Sequence, residues 1–133
     1  MKETPRSPRS RRPDSRPAYL SNIFIGLLLR LFRENRSLTQ ERVAELAGCH
    51  ASYLSIIENG KAQLSIRTFV ELCQALQLAP ADLFVLASML EESYLNSDLI
   101  YSGTCDPQDP LTAQRWLQAH IREGRLGTLD KKS

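Results

Sequence analysis

The sequence has few of the residues that metal sites and catalytic centres need. It contains two histidines and three cysteines in 133 residues, and no Cys-x-x-Cys pair or histidine spacing suited to zinc occurs. His50 and His120 stand apart from any acid or nucleophile that would complete a catalytic arrangement. Paired carboxylates for acid-base catalysis and a glycine-rich phosphate loop are also missing. The sequence therefore indicates no enzyme, and it predicts no metal or cofactor.

Long apolar runs are absent as well. The run from Ile23 to Leu29 is followed by Arg30 and Arg33, is too short to span a bilayer, and has no small-x-small cleavage site after it. Three cysteines cannot all pair with one another, so a reducing compartment is the simplest expectation. We therefore expect a cytoplasmic protein of one domain with appendages, and no membrane partner.

The basic charge lies at one end of the chain. The formal net charge is +2, but residues 1–17 carry six basic and two acidic side chains together with four prolines. Such a segment buries too little apolar surface to offset the entropy of ordering, so residues 1–20 are expected to form a disordered basic arm. Either the arm only solubilises the protein, or arginines in it contact nucleic acid; those expected to do so include Arg9, Arg11, Arg12 and Arg16.

Local signals predict a short helix over residues 40–47. Thr39 is a suitable N-cap, and Gly48 can adopt the left-handed conformation that lets the chain reverse direction. Three residues of this helix are expected to point into a core: Val43, Ala44 and Leu46.

A second short helix is predicted directly after this turn, over residues 51–58. Leu54 and Ile57 lie three apart and face the core. The opposite side, which a DNA groove would meet, then carries Ala51, Ser52, Tyr53, Ser55 and Ile56. The two helices and their turn are a helix-turn-helix.

Three further helices complete the predicted bundle. The first runs from near Ser21 or Asn22 to about Asn35, and Ser65 caps another whose apolar residues repeat at intervals of three and four. These residues are Ile66, Phe69, Val70, Leu72, Cys73 and Leu76. Pro80 suits the first position of a fifth helix that contains Leu83, Phe84, Leu86 and Ala87 and can continue through Tyr94.

The sequence also predicts a helix near the end of the chain. Asp109 or Thr112 can cap it, and Gly124 ends it. Its apolar stripe contains Ala113, Trp116, Leu117, His120 and Ile121. No strand pattern and no internal repeat is present.

The order and spacing of many of these residues resemble the lambda-repressor-like, Cro/CI-type (XRE) helix-turn-helix domain. The resemblance covers about half the chain and rests on Ile25-Gly26, Leu29, Phe32-Arg33, Leu38-Thr39-Gln40, Val43-Ala44, Leu46-Ala47-Gly48, Ile57-Glu58-Asn59-Gly60 and Leu76. It implies an all-α, five-helix bundle that binds double-stranded DNA, usually as a two-fold dimer. It also implies a salt bridge between Arg33 and Glu58, which would fix the recognition helix.

Several residues are expected to contact DNA. Thr39 and Gln40 open a helix whose free N–H groups favour a phosphate oxygen, and Asn59 and Lys61 follow the recognition helix, where the family touches the backbone. That helix offers no Arg, Lys, Asn or Gln for bidentate base contacts. We therefore expect specificity either to be low or to depend on dimer spacing and DNA deformability.

The first helix departs from the family pattern. Phe24, Leu27, Leu28 and Leu31 form a second apolar stripe beside the usual core face, and water should not be left to cover it. We expect the terminal helix, around Trp116, to pack there from the same chain or from a partner subunit.

The sequence thus divides into an arm (1–20), a helix-turn-helix domain (21–88) and a C-terminal extension (89–133). The predicted function is a sequence-specific DNA-binding transcriptional regulator, a repressor that binds its operator as a homodimer. The alternative is an antitoxin-like interaction module, whose extension binds a protein partner and whose DNA binding is autoregulatory.

Overall fold

The structure is a computed structural model that describes residues 20–103 and 106–122. Over these residues it contains seven α-helices and no strand. They are α1 (Leu20–Asn35), α2 (Gln40–Ala47), α3 (Ala51–Glu58), α4 (Ile66–Ala75), α5 (Pro80–Leu95), α6 (Asp98–Tyr101) and α7 (Pro110–Arg122). The predicted all-α class is confirmed. Residues 1–19 of the basic arm, Cys105 and Gly124 lie outside the described residues, whereas Leu20, the last residue assigned to the arm, begins α1.

Local capping chemistry sets the ends of the short helices. The Thr39 side chain accepts a hydrogen bond from the Arg42 N–H, and Ser65 accepts one from the Thr68 N–H. Gly48 ends α2 in the left-handed conformation, with φ of 78°. Pro80 occupies the first turn of α5. These caps are the ones that the sequence predicts, and α2 and α3 have the predicted bounds.

One core joins α1 to the other helices. Leu54 and Ile57 of α3, Leu72 and Cys73 of α4, and Leu83 of α5 are all at most 3% exposed. α1 packs against α3, α5 and α7, and α2 packs against α3 and α4. The helix-turn-helix formed by α2 and α3 therefore rests on α1 and α4.

Leu46, which was expected to point into the core, is exposed, and so are Ile66 and Phe84, two of the apolar residues named for the fourth and fifth predicted helices. Leu46 is 49% exposed, Ile66 is 81% exposed and Phe84 is 54% exposed. In α2, Ala47 is buried together with Val43 and Ala44, and Leu46 projects from the side of this face. Ile66 occupies the first turn of α4, before the buried pair Leu72 and Cys73. Helical spacing therefore predicted the correct buried side of α2 but included Leu46, which the other helices do not cover.

The prediction for the second apolar stripe of α1 is confirmed, and the covering helix belongs to the same chain. Phe24 and Leu28 are fully buried, and the ring of Trp116 in α7 meets that of Phe24 edge to face, with centroids 5.9 Å apart. Gly26 faces α3, and Phe24, two residues earlier, lies about 200° around the helix from it. α7 therefore lies on the far side of α1 from α3.

The connection to α7 contains one helix that the sequence did not predict, α6. α5 continues without a break to Leu95, so the expected domain boundary after residue 88 falls inside a helix. The Asp109 carboxylate accepts hydrogen bonds from the Leu111 N–H (3.3 Å) and the Thr112 hydroxyl (2.9 Å) at the start of α7. Asp109, one of the two residues that were expected to cap this helix, is therefore its N-cap.

Within the described part of the chain, no single helix is long and apolar enough to cross a membrane. α4 and α5 meet the length and composition criteria only as a pair, and that pair is bent by 108°.

Candidate nucleic-acid interface

The outer surface of α3 carries the side chains that were expected to read bases. Ser52 is exposed and Ile56 is 46% exposed, whereas Ala51, Tyr53 and Ser55 are half-buried. On the opposite side, Leu54 and Ile57 are 1% and 2% exposed. Burial of these two residues holds α3 with its polar side outward. The outer surface is available to a ligand, and Ala51 and Tyr53 also pack partly against the core.

The expected backbone-contact residues lie near one end of this surface, because Gln40 at the start of α2 is hydrogen-bonded to Glu58 at the end of α3. Thr39 is exposed at the start of α2, and its hydroxyl oxygen accepts from the Arg42 N–H at 3.0 Å. Asn59 and Lys61 are exposed just after α3. A helix N-terminus and a lysine on one side of a domain can both contact phosphate oxygens.

Close backbone contact seats α3 against α1. A Cβ atom added to Gly26 would overlap the carbonyl oxygen of Ile57 and would lie 3.1 Å from its carbonyl carbon. Gly60 follows α3 and has a φ of 74°. A Cβ atom added to Gly60 would lie 3.2 Å from the Cα atom of Ile23. Two glycines thus allow α1 to approach the end of α3 more closely than any side chain would permit.

Arg33 and Glu58 form the ion pair that the family resemblance implies. The Arg33 Nε donates to Glu58 Oε2 at 2.7 Å, and its Nη2 donates to Oε1 at 3.0 Å. The third guanidinium nitrogen, Nη1, donates to the Leu38 carbonyl at 2.8 Å. Glu58 is 2% exposed and Arg33 is 11% exposed. This bidentate pair fixes the end of α3 to α1 and to the turn before α2.

Gln40 belongs to the same network. Its Nε2 donates to Glu58 Oε1 at 2.9 Å, so the Glu58 carboxylate joins the start of α2 to the end of α3. Gln40 was expected to contact phosphate, and the structure shows that part of its amide is occupied within the protein. Sequence reasoning missed this contact because the two residues lie 18 apart and no pattern links them. We call Arg33, Gln40 and Glu58 the Glu58 network.

The charges of the site are consistent with a structural role for this network. The hydrogen bond from Arg33 to Glu58 raises the pKa of the Arg33 guanidinium above its ordinary, already high value, although burial acts in the opposite direction. Arg33 is therefore charged throughout the ordinary pH range.

Burial, with a smaller effect from the charge of Glu71, raises the pKa of the Cys49 thiol in the turn before α3. A raised pKa disfavours the reactive thiolate, which supports interpreting Cys49 as a small residue tolerated in a turn.

Comparison with known proteins identifies the architecture. A family model described as a helix-turn-helix domain matches residues 25–84. The clp gene regulator ClgR from Corynebacterium glutamicum is 30% identical, and the match covers 55% of this chain and 78% of that chain with a TM-score of 0.51. The chain belongs to the Cro/CI-type helix-turn-helix family.

The restriction-modification controller protein C.AhdI from Aeromonas hydrophila is 32% identical, over 49% of this chain and 98% of that chain, with a TM-score of 0.47. No curated protein sequence matches the chain. The part of this Cro/CI-type protein that the family model matches contains the Glu58 network and the outer surface of α3. α7 lies outside it, so the helix that covers the second stripe of α1 is an addition to the family domain.

Proposed function

We propose that this protein is a transcriptional regulator that binds double-stranded DNA through α3, as a repressor that occupies an operator as a homodimer. The observation that carries the proposal is the combination of a rigidly seated helix and an outward polar surface. The Glu58 network and the contact between Gly26 and Ile57 fix α3, and Ser52 and Ile56 face solvent. A DNA-reading helix needs this rigidity because its contacts depend on the register that the scaffold imposes.

The chemistry of α3 limits the kind of base readout. Ser52 and Tyr53 can make single hydrogen bonds, and Ala51 and Ile56 can contact a thymine methyl group. None of these contacts is bidentate. Specificity then depends largely on the spacing of two half-sites, about 34 Å apart on one side of the duplex, and on the deformability of the DNA between them.

Phosphate contacts supply the remaining affinity in this proposal. Lys61 contributes a salt-dependent contact, Thr39 and Asn59 lie near the C-terminal end of α3, and the arginines of the arm at positions 9, 11, 12 and 16 add charge. Gln40 can still offer its second amide N–H to a phosphate while the first stays on Glu58. The protein would act in the cytoplasm.

The known relatives support regulation over other activities. ClgR is described as a clp gene regulator, and C.AhdI as a restriction-modification controller. The proposal includes no catalytic activity. The apolar stripe of α7 already packs on α1, and no specific observation favours the antitoxin-like alternative.

Selection of bound sequences from random duplex DNA, repeated at two salt concentrations, tests the proposal. The expected result is a palindromic enrichment with half-sites about one helical turn apart. Ser52→Ala and Ile56→Ala should change the enriched bases, whereas Lys61→Ala should lower affinity for all sequences and reduce the salt slope by about 1.

Arg115→Ala is the matched control for the lysine variant, because Arg115 is an exposed cation on α7, away from α3. Loss of affinity in this control equal to that of Lys61→Ala would contradict the proposed surface. Absence of any sequence enrichment with the wild-type protein would contradict sequence-specific binding.

A further inference from the structure

Helix α5 is apolar on both of its sides, and the described helices cover one of them. Leu83 and Leu90 are each 3% exposed and face the core. On the opposite, outer side, Val85 is 54% exposed and Met89 is 60% exposed. A helix that is apolar all round is normally buried all round. The outer side of α5 therefore needs a cover that residues 20–103 and 106–122 do not supply.

An apolar hollow opens beside this outer side, between α5 and the end of α1. It has a volume of about 490 Å³, and most of the side chains that line it are apolar. Two of them, Phe32 and Leu83, are 4% and 3% exposed and belong to the core, whereas Val85 and Met89 are the exposed part of its lining. An apolar side chain placed in this hollow would extend the core of the bundle.

The hollow also carries one charge of each sign. Arg36 and Asp82 both line it. The Arg36 guanidinium lies over the Phe32 ring, 5.5 Å from its centroid, and donates to the Phe32 carbonyl oxygen at 3.4 Å. Within the part of the chain that the structure describes, neither Arg36 nor Asp82 forms an ion pair. The complementary occupant therefore has an apolar centre with both an acidic and a basic group beside it.

The last residues of the sequence have this composition. Residues 123–133, which we call the tail, contain Leu126 and Leu129, and Asp130 and two lysines follow directly after them. The two leucines match the apolar part of the hollow. The aspartate can pair with the arginine of the hollow, and the lysines can pair with its aspartate.

The start of the tail lies within reach of the hollow. α7 ends at Arg122. His120, two residues earlier, lines a second hollow together with Met89, and Met89 also lines the first. Counted from Arg122 along an extended chain, Leu126 can lie up to about 14 Å away and Leu129 up to about 25 Å away. A chain that leaves α7 therefore has to pass one side chain, that of Met89, to enter the first hollow.

We propose that the tail covers the outer side of α5 within its own chain, with Leu126 and Leu129 in the hollow beside Phe32. The basic arm suits this hollow less well, because it joins α1 at Leu20, about 18 Å along the helix from Phe32. A partner protein could reach the outer side of α5 only after the tail had left it. This contact goes beyond the proposed function and requires no DNA.

Thermal unfolding of the full chain tests whether the tail is docked. Leu126→Asp and Leu129→Asp should each lower the Tm by about 3 to 6 °C, the shift expected for the partial loss of one buried leucine in a domain of this size. Thr128→Asp is the matched control, because it places the same charge between the two leucines, and it should leave the Tm unchanged. A tail that projects into solvent would give the wild-type Tm in all three variants, and the proposal would then be wrong.

Disulfide cross-linking tests where the tail is docked. In a chain that carries Cys49→Ser and Cys105→Ser, Thr128→Cys is combined either with Val85→Cys in the hollow or with Gln118→Cys, an exposed position on α7. Gln118 is much nearer to Thr128 in the sequence, so a free tail would favour the Gln118 pair. At low protein concentration, non-reducing mass spectrometry should instead show an intramolecular disulfide that forms several-fold faster in the Val85 pair.

Two results of the cross-linking would overturn the proposal. One is faster cross-linking of the Gln118 pair. The other is a Val85 disulfide that joins two chains rather than one, since a second copy would then occupy the outer side of α5. Neither experiment contains DNA, so their failure leaves the proposed function standing, and failure to select a DNA sequence leaves the contact of the tail standing.

Discussion

The guanidinium of Arg33 and the carboxylate of Glu58 meet through two hydrogen bonds, of 2.7 and 3.0 Å, although the residues belong to different helices and lie 25 positions apart. Glu58 also accepts from Gln40, so one buried carboxylate connects α1, α2 and α3. One anion and its donors thus connect the three helices, in addition to the apolar contacts of α3 with the core.

We expect Glu58→Gln to destabilise the protein strongly. The substitution removes the negative charge and leaves the Arg33 guanidinium, which is 11% exposed, without its closest counter-charge; Glu34, at 3.8 Å, remains. The free energy of unfolding should fall by about 2 to 3 kcal/mol, the range expected when one partner of a buried pair is lost but part of the other remains hydrated. Urea unfolding measures this change. Glu45→Gln, which affects the exposed pair of Arg42 and Glu45, is the control and should cost less than about 1 kcal/mol.

Gln40→Ala should lower stability even in the absence of DNA. Its amide donates to Glu58 at 2.9 Å, and a hydrogen bond to a charged group contributes about 1.5 kcal/mol or more. In a double-mutant cycle with Glu58→Gln, the two effects should be non-additive by at least about 0.5 kcal/mol. If Gln40 only contacts phosphate, the variant would weaken DNA binding and leave unfolding of the free protein unchanged, and a positioning role would be ruled out.

Gly26→Ala should destabilise the protein although the same change usually strengthens a helix. An alanine Cβ would overlap the Ile57 carbonyl oxygen at the closest point between α1 and α3. We expect overpacking to lower the free energy of unfolding by about 1 to 3 kcal/mol, whereas helix propensity alone would raise it by about 1 kcal/mol. Thermal unfolding shows whether the substitution lowers or raises the stability. Ser52→Ala, at an exposed position of α3, is the control and should change little. A more stable Gly26→Ala variant would show that the two helices can separate without cost.

The fluorescence of Trp116 should report on the attachment of α7. It is the only tryptophan in the chain, and its ring lies 5.4 Å from Tyr94 and 5.9 Å from Phe24, measured between centroids. Because α7 covers residues of α1 that are fully buried, the extension and the bundle should unfold together. In a urea titration the tryptophan emission and the helical circular dichroism should give the same midpoint. If the tryptophan emission changed at a clearly lower urea concentration than the circular dichroism, α7 would detach before the bundle unfolds.

Residues close together in sequence determined much of this fold. Thr39, Gly48, Ser65 and Pro80 act through bonds and backbone angles within a few positions of themselves, so their consequences could be predicted without knowing any neighbour in space. The bounds of α2 followed from Thr39 and Gly48. The unusual second stripe of α1 likewise required a cover, since apolar side chains on two sides of one helix need two partners.

The errors concern how far each apolar face extends. Leu46, Ile66 and Phe84 fit the helical spacing of a buried face, yet each is about half exposed or more. Periodicity gives the direction of a side chain around its own axis, whereas exposure depends on where the next helix ends. That information is absent from the spacing of residues along a single helix.

The sequence by itself determined the helices, their caps, the turn between α2 and α3, and the need to cover α1 on both sides, because these follow from local backbone chemistry and apolar spacing. Only the tertiary structure decided that Gln40 reaches Glu58, that α7 covers α1 from within the same chain, and that residues 20–103 and 106–122 leave the outer side of α5 exposed. These outcomes depend on contacts between segments distant in sequence, and such contacts are set by the packing of whole helices.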